Sequence, residues 1–131
     1  MNKKELSQLY YLKKEIACKQ EQLARLEAEA ERTTAQLTGM PATSGEKDKV
    51  GKMAAEIADI KAVLDCKVQE YYSEMNRLIR YIDSIDDSLT RQIMTLRYVE
   101  LLPWQQVADR IGGGNTEDSV KQTHSRFLRR H

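Results

Sequence analysis

Apolar residues recur along this chain in two long rows of helical spacing. Leu9, Leu12, Ile16, Leu23, Leu26, Ala30 and Leu37 occupy the a and d places of one seven-residue register, which Lys19 and Thr33 complete. Further on, Val50, Ile57, Leu64, Tyr71, Leu78 and Ile85 stand seven apart, partnered first by Met53 and Ile60 and later by Val68, Met75 and Ile82. The partner row slips by one place as it proceeds, as expected of a nearly straight helix that keeps no strict supercoil. The stretch Thr38-Gly39-Met40-Pro41-Ala42-Thr43-Ser44-Gly45 separates the two rows and has the composition of a loop. Two helices of about 35 residues, each on the order of 50 Å long, therefore fold back on each other as an antiparallel coiled-coil hairpin. Folding about Ala42 sets Ile16 near Val68, Leu26 near Ile57 or Ala58, and Ala30 near Ala54, apolar on both sides. Asp83, Ser84, Asp86 and Asp87 punctuate the end of the second helix and make a short hinge.

Beyond the hinge the pattern shortens. Helices are expected from Ser88 to Val99, from Pro103 to Ile111 and from about Thr116 to Arg130, with Gly112-Gly113-Gly114-Asn115 as the last turn. Proline suits a first helical position, and glycines can adopt the positive φ that ends one helix and turns into the next. Asn115 or Thr116 can cap the third helix, and Glu117 and Asp118 oppose the positive end of its dipole. Ile93, Leu96, Val99 or Leu101, Val107, Ala108, Ile111, Val120, Phe127 and Leu128 fall on inward faces and can share one small core, with Trp104 as its lid. The expected fold is thus all-α: residues 1–85 form the hairpin, for oligomerisation or partner binding, and residues 86–131 form a three-helix helix-turn-helix unit.

With that core inside, Glu117, Asp118, Lys121, Gln122 and Ser125 face outward on the third helix. A lysine can approach the guanine O6/N7 edge, a glutamine can pair with adenine, and an acid can accept from cytosine N4. An ordinary solvated helix face has the same composition, so order along the chain is what points to DNA. After Asp118 there is no acid, and Lys121, Arg126, Arg129 and Arg130 follow. Glu117, Asp118, Lys121, Gln122 and Ser125 are the candidates for base reading; Arg126, Arg129 and Arg130 are the candidates for gripping phosphates.

The words Gln92-Ile93-Met94-Thr95-Leu96-Arg97-Tyr98, Trp104-Gln105-Gln106-Val107-Ala108-Asp109-Arg110-Ile111-Gly112 and Ser119-Val120-Lys121 carry a resemblance. The segment from Ser88 to Arg130 resembles region 4 of sigma-70-type transcription factors, the part that binds the promoter −35 element. That resemblance implies base contacts at Glu117, Asp118, Lys121 and Gln122. Two departures stand out: the turn is about two residues longer than in the family, and His124 replaces an apolar core residue. The whole chain is similar to a phage-encoded family of transcription regulators in which a long helical part precedes a sigma-like C-terminus. Such a protein would act on double-stranded DNA together with RNA polymerase. Nothing upstream resembles the aromatic-rich region with which complete sigma factors melt promoters.

Net charge is only +1 but unevenly placed, with Lys and Arg in excess by three from Ser88 onward and two short before it. No apolar run could span a bilayer and no signal peptide pattern opens the chain, so a cytoplasmic protein without membrane contact is expected. Cys18 and Cys66 would lie at one height in the hairpin but on c places, where side chains diverge, and are expected to stay reduced. No metal or cofactor motif is present, and His124 and His131 have no metal-spaced partner. The glycine run lacks the sequel of a phosphate loop, and no nucleophile has a base at a recognisable spacing, so catalysis is not expected. Leu6, Tyr10, Ala54 and Tyr72 widen the apolar surface beyond the seam, which implies a homodimer. A phage DNA-packaging adaptor of the small-terminase kind, or a coiled-coil protein-interaction module, fits the same organisation.

Overall fold

The computed structural model describes residues 1–37 and 44–131, without the side chains of residues 36, 37, 44 and 46. Every regular element among the described residues is helical: α1 (Lys3–Leu6), α2 (Gln8–Leu37), α3 (Ser44–Asp83), α4 (Ser88–Met94), α5 (Trp104–Ile111) and α6 (Glu117–Arg130), with a π-helical turn at Thr95–Val99 continuing α4. The expected loop falls mostly on residues 38–43, outside the described residues. Its last two residues, Ser44 and Gly45, already belong to α3, so the long helices are 30 and 40 residues rather than equal.

The chain forms two compact units, Lys14–Glu70 and a second made of Met1–Lys13 with Tyr71–His131. In the first, α2 and α3 run antiparallel, and the ion pairs that join them, Glu15 with Lys67 at 2.8 Å and Glu27 with Lys61 at 3.7 Å, fix the register. That register agrees with folding near Ala42. Such exposed pairs add little stability, so the apolar seam carries the pairing. Ile16, Lys19, Leu23, Leu26, Ala30 and Thr33 on α2 are shielded while their neighbours are mostly exposed, and Val50, Met53, Ile57, Ile60, Leu64 and Val68 match them on α3. Of these only Met53 is buried and the rest are half-buried, because a pair of helices covers one stripe of each. Cys18 and Cys66 are free and exposed, as their c places predict.

The second unit departs from the expected boundary at residue 85. Asn2 caps α1 in a reciprocal pair with Glu5, and Ser7 breaks the helix before α2 begins. Leu6 and Leu9, each 1% exposed, then join Leu78, Ile82, Ile85, Met94 and Tyr98 in one buried cluster. The first turns of the chain thus belong to the same core as its last third. A second cluster, Ile93, Val107, Ala108 and Val120, lies among α4, α5 and α6, with Leu96, Trp104 and Ile111 packed against it. The expected single core is therefore divided: Val120 points into the second cluster, whereas Phe127 and Leu128 pack on the first and are only half-buried.

The hinge between α3 and α4 is tied down by its own polar groups. Asp87 caps α4 through the Thr90 backbone N–H, at 3.0 Å, and also accepts from the Thr90 hydroxyl. These bonds hold the Asp87 carboxyl below its ordinary pKa, with the Arg91 charge adding to the effect. The Arg91 guanidinium donates to the carbonyls of Ile85 and Asp86 at 2.6 and 2.9 Å. One side chain of α4 thereby satisfies two carbonyls of the linker that follows α3.

Candidate nucleic-acid interface

The approach to α6 is set by backbone chemistry. Pro103 is the N-cap of α5 rather than its first residue, and the helix starts at Trp104. All three turn glycines take positive φ, at 66°, 61° and 80°, a region that side chains with a Cβ pay to enter. The Asn115 side chain donates to the Gly112 carbonyl at 2.8 Å and closes the turn. Thr116 and Ser119 then satisfy each other's backbone N–H at the start of α6. Of the two caps expected, Thr116 is the one used.

Helix α6 packs against both α4 and α5. Val120 is 0% exposed and His124 5% exposed, so they fix its rotation. At about 100° per residue, the opposite side carries Asp118, Lys121, Gln122, Ser125 and Arg129, all exposed, with Glu117 half-buried at its edge. Four of the base-reading candidates, Asp118, Lys121, Gln122 and Ser125, therefore share one face, and Glu117 lies toward the packed side. Lys121 is not idle there, since its ammonium lies 3.0 Å from the Glu117 carboxylate one turn earlier.

The arginines separate. Arg129 continues the outward row, but Arg126 and Arg130 turn to a flank and line a cleft of about 410 Å³ together with Tyr81, Asp86, Asp87 and Phe127. His131 stacks on Phe127 at that rim, with ring centroids 4.4 Å apart. Arg126 and Arg130 thus face a mixed-charge surface, while Arg129 shares the face of Gln122.

His124 is buried, and it has a defined partner. Its Nε2 is hydrogen-bonded to the Tyr98 hydroxyl, and Trp104 meets its ring edge-on at 4.8 Å. Burial, with Lys3 and Arg97 nearby, pushes the imidazole pKa down to about 4; burial pushes the Tyr98 phenol up to about 12. Both groups are uncharged at neutral pH, and the bond joins the π-turn after α4 to the middle of α6. The polar residue in an apolar place was visible in the sequence; its partner, 26 residues away, was not.

Two backbone irregularities precede α5. The π-turn shifts the hydrogen bonding so that the Glu100 N–H reaches the Thr95 carbonyl at 3.0 Å, and Leu101 takes φ 61°, the sole non-glycine residue of positive φ among those described. Arg97 donates to the Leu102 carbonyl at 3.0 Å and lies 4.6 Å from the Trp104 ring centroid.

No helix among the described residues is long and apolar enough to cross a membrane, and no cluster of three potential metal ligands occurs among them. Comparison with family models, with curated proteins and with solved structures finds no match.

Proposed function

We propose that this protein is a sequence-specific double-stranded DNA-binding transcription regulator of phage type, acting at promoters with host RNA polymerase. One observation carries the reading: Asp118, Lys121, Gln122 and Ser125 stand exposed on one face in the first turns of α6, directly after a sharp glycine turn and opposite two buried anchors. Helix-turn-helix proteins enter the major groove with that part of the recognition helix. The sigma region 4 resemblance supports Asp118, Lys121 and Gln122 among these residues, with Glu117, and adds the polymerase. Glu117, Asp118, Lys121, Gln122 and Ser125 read bases in this reading, and Arg129 grips phosphate. Arg126 and Arg130, exposed on the flank of α6, are the further phosphate contacts of this reading.

Exposed Tyr72 and Ile79, two turns apart on α3, leave an apolar strip that a second copy covers in the homodimer we propose. Selection of binding sites from random duplexes by the complete protein tests the function. Enrichment of one sequence supports it, and recovery of the unselected mixture at low salt contradicts it.

A further inference from the structure

Within the second unit, Lys3, Tyr10, Tyr11, Arg97, Leu101 and Trp104 are among the residues that line a half-open pocket of about 410 Å³. That volume lies in the range of small-molecule sites, about 300–1,000 Å³. Its chemistry is one-sided. Two cations line it and no carboxylate does, whereas the cleft beside Arg126 sets Asp86 and Asp87 among its basic residues. The uncompensated charge is felt beyond the wall, since Lys3 and Arg97 both help to keep His124 neutral.

The rest of the wall is aromatic. Tyr10 and Tyr11 pack edge to face at 5.3 Å, and Trp104 carries the Arg97 guanidinium on its ring. Aromatic faces stack on nucleobases whatever their identity, and paired cations match a dianionic phosphate monoester. Backbone irregularity gathers here too. Arg97 and Tyr98 sit on the π-turn and Leu101 holds its positive φ, two features that concentrate at binding sites. The α1–α2 break at Ser7, also in the wall, sets Lys3 and Tyr11 on separate helices.

We propose that this cavity binds a nucleoside monophosphate, the phosphate between Lys3 and Arg97 and the base against the tyrosines and Trp104. The site is separate from the α6 face and stands whether or not that face binds DNA.

Trp104 is the sole tryptophan of the chain, so its fluorescence reports occupancy directly. The complete protein is titrated with adenosine, guanosine, cytidine and uridine monophosphates, with the uncharged nucleosides and with inorganic phosphate. At least one monophosphate is expected to give a saturable change and to bind at least about tenfold more tightly than its nucleoside and than phosphate alone. Lys3→Ala and Tyr11→Ala each alter an exposed side chain, and each should weaken that binding about tenfold with the far-UV circular dichroism unchanged. No saturable response to any monophosphate overturns the proposal. So does equal binding of the nucleoside or of phosphate, or full affinity in both variants.

Discussion

At the scale of single residues, His124 links the stability of the protein to pH. Its folded pKa of about 4 lies below the ordinary value of 6.5, so the unfolded chain takes up the proton first as pH falls. The stability it contributes is complete above about pH 6.5 and is lost progressively down to about pH 4, by about 3 kcal/mol in all. Asp87, whose carboxyl is held below its ordinary 3.8 by Thr90, adds its own loss only at lower pH. Urea melts of the complete chain at pH 7 and pH 4.5 should show the fall, and His124→Gln, neutral and still able to bond Tyr98, should flatten it. An equal fall in the variant would assign the acid sensitivity elsewhere. On the outward face, Glu117 holds Lys121 in an ion pair and adds negative charge beside the expected path of the phosphates. As a base reader Glu117 also accepts from a base edge, so Glu117→Gln is expected to lose about 1–3 kcal/mol on the selected duplex; tighter binding at low salt, fading at high salt, would show instead that its charge only repels the phosphates.

Elements differ in how much of them the sequence makes legible. The seams of α2 and α3 follow from a period of three to four, and the residues so assigned are shielded, apart from Leu37, whose side chain lies outside the described ones. The glycine turn was legible because three consecutive residues without a Cβ have few other uses, and the α6 face because Val120 and its neighbours set the rotation. The π-turn was not, since a five-residue hydrogen-bond step is chosen by the packing of Tyr98 and Met94, not by local propensity. Leu101 was not either, because leucine has no preference for positive φ. The placement of Phe127 failed for a related reason: helical phase sets it near Val120, but the end of α3, which receives it, lies outside any local window. Ile93→Ala, at a site 0% exposed, should cost about 2–5 kcal/mol. Phe127→Ala, half-buried, should fall below the about 3–5 kcal/mol of a fully enclosed ring. Denaturant melts that reverse this order would show that α6 is turned differently.

For the molecule as a whole, the consequential difference lies in how the chain divides. A boundary at residue 85 follows from the change of pattern there, yet Leu6, Leu9, Leu78 and Ile82 complete the core that Met94 and Tyr98 begin. Periodicity shows which face of a helix is buried but not which distant segment buries it. A fragment of residues 86–131 therefore exposes half of a cluster and should melt without a cooperative transition, whereas the complete chain should melt sharply; cooperative melting of the fragment would restore the simpler boundary. Sedimentation of the complete chain should give a dimer, and a ring of many subunits would favour the packaging-adaptor reading. The central claim is that the outward face of α6 reads bases while Arg129 supplies sequence-independent grip. It is tested most directly by titrating the complete protein and its Gln122→Ala and Arg129→Ala variants with the selected duplex and a scrambled one at several salt concentrations. Gln122→Ala should lose about 1–3 kcal/mol on the selected duplex alone, and Arg129→Ala should weaken both duplexes alike and lower the salt slope by about one. Equal losses on both duplexes for Gln122→Ala, or no duplex binding by the unmodified protein at low salt, would contradict it.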